Sequence, residues 1–400
     1  MLGFLKGDRV LWGILALLAI FSFLPVFSAS SNLAYVIGKG TPWGYLMKHF
    51  VILAIGFVLM FFVHKIPFNY FKGIALLMMP VVLLLLIYTA TQGNVIDGAN
   101  ANRWIQIPII GVSFQTSTLA SVVLMIYVAQ YFSKLKGEAP TFKASFLKLW
   151  LPVLSVVLLI LPANLSTAAL LFVMVLVVAF LGGYPIKYLL AICGTGILGL
   201  LLFFVLAKAY PNAFPNRIDT WVNRIENFQS GESADGNYQI ERAKMAIASG
   251  KIFGLGAGKS RMKNFLPQSS SDFIYAIIVE EFGLLGGVGL LFIYLLLLFR
   301  MLVIAHKTDH AFGKLLVIGL GLPVIFQAFI NMGVALQVFP VTGQTLPMIS
   351  SGGTSAWMTC IAFGIILSVS ADHKKIIQES EANAFDDIHS NPLDVLSEVE

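Results

Sequence analysis

The sequence predicts an all-α polytopic membrane protein of about ten transmembrane helices, with both ends on the cytoplasmic side (N-in/C-in) and one large extracytoplasmic loop. Three observations carry this reading. Hydrophobic residues make up 58% of the chain and charged residues 12%, with a mean hydropathy of +0.85, so a water-soluble fold would expose most of its apolar surface. Ten continuous apolar runs approach the ~20 residues needed to cross ~30 Å of hydrocarbon. Basic residues concentrate in alternate short loops.

The runs lie near 10–29, 46–63, 72–91, 115–133, 147–161, 165–182, 186–207, 273–299, 313–334 and 353–371. They are continuous rather than alternating, which excludes the strands of a transmembrane barrel. The first follows Lys6 and Arg9 and ends in Phe27-Ser28-Ala29-Ser30; with nine more runs behind it, it reads as a signal anchor rather than a cleaved leader. An inner N-terminus puts more than half of the 26 Lys and Arg residues in short cytoplasmic loops, whereas the short outer loops hold Lys39, Lys48 and Arg103. The net charge of +6 is therefore mostly an inner-leaflet signature and not a nucleic-acid footprint. Cys193 and Cys360 both fall inside runs, where a thiol is small apolar packing, and the six histidines form no cluster with metal-ligand spacing.

Two segments break the membrane pattern. The outer loop 208–272 carries a short helix expected over Tyr238 to Ser249, closed by Gly250, and loops of this size without function are uncommon. The tail 373–400 is acidic and poor in large apolar residues, which predicts a disordered cytoplasmic segment. The domain reading is a transmembrane domain over 1–372 followed by that tail.

Within the large loop, Gly254-Leu255-Gly256-Ala257-Gly258-Lys259-Ser260 imitates the end of a phosphate-binding loop. Phe253 stands where a Walker A motif needs glycine, so the match fails. Backbone N–H groups with Lys259, Arg261 and Lys263 remain able to cradle a lipid-linked phosphate, against the plainer reading of a flexible turn. Asp272 stands between a serine run and the apolar run that begins at Phe273. It reads first as a helix N-cap and alternatively as a carboxylate at the water–lipid boundary, available as a general base. Glu280 and Glu281 follow ~12 to 14 Å deeper on a continuous helix; carboxylates at that depth require a cavity or a partner. Arg103-Trp104 taken alone is an interfacial anchor. The Pro- and Gly-rich stretch Pro340 to Gly353 is irregular backbone of a kind tolerated beside a bilayer only where protein or a water-filled cavity surrounds it.

Taken together, these motifs resemble the SEDS family of bacterial shape, elongation, division and sporulation proteins, to which FtsW, RodA and SpoVE belong, with the FtsW-like division branch favoured. The resemblance rests on Ala246-Ile247-Ala248-Ser249-Gly250 through Gly254-Leu255-Gly256 to Asp272-Phe273-Ile274-Tyr275-Ala276 and Glu280-Glu281-Phe282-Gly283. It rests also on Pro340 to Gly353, and on Asn102-Arg103-Trp104-Ile105 with Phe114-Gln115. The chain also departs from the family pattern: where the family usually reads F-Q-P-S-E-x-x-K, this chain has Phe114-Gln115-Thr116-Ser117-Thr118-Leu119-Ala120-Ser121 and loses both charges.

The resemblance implies a peptidoglycan glycosyltransferase of the bacterial cytoplasmic membrane that polymerises lipid II on the outer face. It implies a class B penicillin-binding protein as partner, with other division or elongation proteins around it, and no nucleic acid. Asp272 is then the expected catalytic base. Arg103, Lys259, Arg261, Gln115, Ser350, Gly352 and Gly353 are candidates for holding pyrophosphate or sugar, and Glu280 and Glu281 for lining a cavity. No cofactor is required, although a divalent cation could offset the leaving charge. The alternatives are a lipid II flippase or a non-catalytic scaffold for the penicillin-binding protein.

Overall fold

A computed structural model describes residues 5–35, 41–91, 95–96, 99–100, 104–107, 112–135, 138–209 and 234–390. The helices in chain order are α1 (Arg9–Tyr35), α2 (Pro42–Val63), α3 (Phe71–Thr91), α4 (Thr116–Ser133), α5 (Phe142–Ile160), α6 (Leu165–Leu181), α7 (Ile186–Ala209), α8 (Ala234–Gly250), α9 (Ile274–Lys307), α10 (Ala311–Ala335) and α11 (Gly353–Ser390). By length and composition eight of them can cross a membrane, and α6 and the Ile186–Leu202 part of α7 are shorter apolar helices. The protein is an all-α, multi-pass membrane protein.

Local chemistry sets several helix ends. Thr41 accepts a hydrogen bond from the Gly44 N–H at 3.1 Å and Pro42 fills the first turn of α2, where no backbone donor is needed. Asn164 caps α6 through the Thr167 N–H, and Asp8 accepts from the Leu11 N–H at the start of α1. Pro152 lacks the N–H that would bond Lys148. The Tyr127 hydroxyl donates to that freed carbonyl at 2.5 Å, and a π-helical turn over Phe146–Trp150 marks the irregularity.

Side chains then lock the bundle. At Gly56 of α2 an added Cβ would meet the Cys360 sulfur of α11 at 2.8 Å, so the thiol works as a packing group. Arg300 of α9 grips buried Asp8 with both Nε and Nη2. This charged clasp ties the start of α1 to the lower part of α9.

Three expectations change. The segment between α3 and α4 contains two short antiparallel strand pairs, Val95–Ile96 with Ala99–Asn100 and Trp104–Ile107 with Val112–Gln115, where the sequence reading gave only anchors. The final helix continues past Asp372 to Ser390, where disorder was expected; Ala, Glu, Lys and Gln there favour helix intrinsically. Finally, α9 is not one straight rod. Gly283 leaves helical geometry, at φ 69° and ψ −171°, and the stretch Leu284–Lys307 beyond it is already ~36 Å long at 1.5 Å per residue. That length crosses the hydrocarbon unaided, so Ile274 to Phe282 form a separate short strut instead of the upper part of the span.

Candidate active site

The large loop is docked on that strut by backbone. The N–H groups of Leu255 and Gly256 donate to the carbonyls of Glu280 and Glu281, both at 2.9 Å, while those of Leu284 and Leu285 donate back to Lys251 and Ile252 at 2.8 and 3.2 Å. The approach is so close that a Cβ on Gly283 would lie 2.2 Å from the Ile252 carbonyl oxygen. Glycine is required here by both space and positive φ.

The turn that resembled a phosphate loop does gather acidic groups, but they are the protein's own side chains. Glu280, fully buried, accepts from the N–H groups of Arg261 (2.9 Å) and Met262 (3.2 Å) and from the hydroxyls of Ser260 (2.5 Å) and Ser249 (3.3 Å). Glu281 accepts from the Ser260 N–H at 3.3 Å and from the Ser28 hydroxyl on α1. Glu280 and Glu281 are therefore internal fasteners and do not line the cavity described next. The reason is local: two buried carboxylates must find donors, and the neighbouring turn supplies them. Lys259 and Arg261 are exposed on this turn, and neither is among the residues lining the cavity.

That cavity, about 480 Å³ in volume, opens among α2, α4, α6, α10 and α11. Asp272 lines it, together with Gln115, Gly352 and Gly353. Gln115 pairs with Trp104 across a strand register, so two halves of one sequence motif meet at the cavity wall, where Trp104 also stands. Arg103 lies outside the described residues. The lining follows α4 from Gln115 to Met125, about 15 Å along the helix axis. Below it, Phe363, Ile366 and Leu367 of α11 and Leu316 of α10 are fully buried in apolar packing.

Asp272 is held by its surroundings rather than by a cap. The residue at the cap position of α9 is Phe273, and no side-chain bond closes that helix end. The Asn331 side-chain amide donates to the Asp272 carbonyl at 2.8 Å and to the Gln344 carbonyl at 2.7 Å. The Ser350 hydroxyl donates to the Ser271 carbonyl at 2.6 Å, and the Ser351 N–H to the Ser270 carbonyl at 3.0 Å. Gly343 sits beside the carboxylate, its absent Cβ 3.5 Å from Oδ2. The Pro340 to Gly353 segment thus forms a rack behind Asp272. Ser350 is part of this rack, with its hydroxyl also accepting from the Leu346 N–H at 2.7 Å, and so is committed to backbone instead of ligand.

Sequence reasoning missed Lys48, Gln327, Asn331 and Gln344. Gln327 donates to the Thr345 carbonyl at 2.8 Å, and Gln344 to the Thr167 hydroxyl at 2.8 Å. Gln327 and Asn331 are four residues apart in an apolar helix, so they share one face; polar residues so placed signal a site or a partner. Among the described residues no three His, Cys, Asp or Glu side chains converge as a metal site, and Asp272 is the one carboxylate in the cavity lining.

A family profile described as cell cycle protein, FtsW/RodA/SpoVE, matches residues 8–375. This chain belongs to that family. Among relatives, a probable peptidoglycan glycosyltransferase FtsW of Saccharophagus degradans is 30% identical over 95% of this chain and 96% of its own. One of the same description from Alcanivorax borkumensis is 32% identical over 92% and 94%. Among solved structures, a chain from a study of polymerization and crosslinking by a peptidoglycan synthase complex superposes with a TM-score of 0.69 at 27% identity, covering 93% and 99% of the two chains. The rod shape determining protein RodA of Thermus thermophilus gives 0.64 at 26% identity, covering 92% and 97%. The FtsW/RodA/SpoVE membership covers nearly all of the described helices.

Proposed function

We infer that this protein is a peptidoglycan glycosyltransferase of the FtsW-like branch. It works in the bacterial cytoplasmic membrane, extends glycan strands from lipid II at the outer face, and acts beside a class B penicillin-binding protein that cross-links the product. The observation that carries the mechanism is Asp272: the one carboxylate, among the described residues, in the lining of the cavity, with its backbone fixed by Asn331.

In this reading Asp272 takes the proton from the acceptor sugar hydroxyl. The freed oxygen forms a bond to the anomeric carbon of the donor, the bond from that carbon to the phosphate oxygen breaks, and the polyprenyl pyrophosphate leaves with the electron pair. The hydroxyl-rich upper wall suits sugars, and the apolar side chains of Leu171, Val122, Met125 and Leu320 suit the first units of a polyprenyl chain.

A transport reading fits less well. Beyond the cavity lining, Phe363, Ile366 and Leu367 of α11 and Leu316 of α10 are packed with no exposed surface, and Glu280 and Glu281, the groups a polar path would use, are bonded to the neighbouring turn instead. The deciding experiment is polymerisation of labelled lipid II by the purified full-length protein, with and without its penicillin-binding partner. Wild type is expected to make glycan and Asp272→Ala to lose ~10²-fold or more of the rate while still inserting and binding the partner. Undiminished polymer from Asp272→Ala removes the base; no polymer from wild type with its partner removes the enzyme.

A further inference from the structure

We propose that the turn closing α8 is a lipid-binding wedge: Ile252 and Phe253 enter the acyl region of the leaflet on that side, and the Lys251 ammonium sits on an anionic headgroup. The surface lies outside the cavity, and the proposal stands independently of the glycosyltransferase reading.

Exposure marks the turn out. Phe253 is 79% exposed, more than any other large apolar side chain among the described residues, and Ile252 beside it is 56% exposed. In water the pair would be an uncovered apolar tip. Its height tells what covers it. The N–H groups of Leu284 and Leu285 donate to the carbonyls of Lys251 and Ile252, so the turn is level with the first residues of the long segment of α9. There Leu284, Leu285 and Val288 are each more than half exposed, the start of that helix's lipid-facing band. The far end of α9 brackets the depth. Leu284 stands ~24 Å along the axis from Arg300 and ~35 Å from Lys307, on either side of the ~30 Å thickness of the hydrocarbon. Whichever cation marks the opposite boundary, the turn lies within ~6 Å of the near one.

The backbone argues for the charge. Lys251 has φ 47°, in the left-handed region where glycine or asparagine ordinarily closes a helix and a bulkier residue is strained. Glycine would relieve that strain; what lysine adds is an exposed ammonium beside the wedge. Between Tyr238 and Ser271 six basic residues stand against one acidic, Glu241, and Lys244, Lys259 and Arg261 are exposed as well. Such a balance suits the negative surface of an anionic bilayer. An aromatic tip with an aliphatic neighbour and a flanking lysine has the composition of an interfacial anchor.

The test uses the full-length protein in lipid nanodiscs, with Cys193→Ala to remove the half-buried thiol and Phe253→Cys carrying an environment-sensitive fluorophore. Cys360 is fully buried and stays unlabelled. The label should be quenched by nitroxide-bearing acyl chains and shielded from aqueous iodide. Replacing part of the phosphatidylcholine by phosphatidylglycerol should raise the ratio of lipid-quenched to iodide-quenched signal ~fivefold, the effect of one lysine at an anionic surface. Lys251→Gly suits the left-handed backbone, so it should keep the fold and abolish that rise. Iodide quenching without nitroxide quenching, or an undiminished phosphatidylglycerol response in Lys251→Gly, overturns the proposal. Loss of nitroxide quenching on adding the purified penicillin-binding protein also overturns it and gives this face to the partner instead.

Discussion

Replacing Glu280 by Ala should break the protein in a way that replacing Asp272 does not. Glu280 is fully buried and accepts from two backbone N–H groups and two serine hydroxyls. Its removal strands those donors in a site lined by packed protein. Each buried donor left unsatisfied costs ~1–3 kcal/mol, and partial rehydration of the exposed side of the turn at Arg261 relieves some of them. A net loss of ~3–5 kcal/mol results, comparable with breaking one partner of a buried ion pair. Glu280→Gln keeps one acceptor oxygen and the side-chain volume, so about half that loss is expected. The assay is thermal unfolding followed by fluorescence-detected size exclusion, with amide exchange measured over residues 255–263. Glu280→Ala should lower the midpoint by several degrees and deprotect that turn, and Asp272→Ala should do neither. An unchanged midpoint and unchanged exchange for Glu280→Ala would refute the fastener assignment.

Asn331→Leu removes the amide that bridges the Asp272 and Gln344 carbonyls; kcat for glycan synthesis should fall about tenfold with KM little changed, read from initial rates against lipid II concentration. Arg300→Ala leaves Asp8 buried without its bidentate partner, which should cost ~3–5 kcal/mol. The double variant with Asp8→Asn should recover part of that in a thermal-unfolding cycle.

The sequence shows its fold clearly and its site only in part, for physical reasons. Apolar runs such as Leu85 in α3 or Leu298 in α9 report the bilayer directly, because length and composition are all that spanning requires. Asp272 is singled out by the family resemblance; its place at the boundary of an apolar run reads first as a helix cap. Lys48 is not, since a lysine beside Trp43 and Tyr45 has the composition of any interfacial anchor; only its place in the cavity lining distinguishes it. Ser350, Lys259 and Glu281 went the other way. Ser350 bonds the Ser271 carbonyl, Glu281 accepts from Ser260 and Ser28, and Lys259 is exposed away from the cavity lining, placements fixed by tertiary proximity that spacing does not encode. The strand pair joining Trp104 to Gln115 was equally hidden, because short strands beside a membrane lack a long alternating pattern.

The interruption of α9 at Gly283 bears on how substrate can enter. A break in a helix at the edge of a bilayer uncovers amides and carbonyls that lipid cannot solvate. Here the turn from Lys251 to Gly256 covers them, two bonds in each direction. Lifting that turn would uncover four polar groups together, so it behaves as a riveted seam rather than a flap. Any opening made through this seam would have to break all four bonds at once.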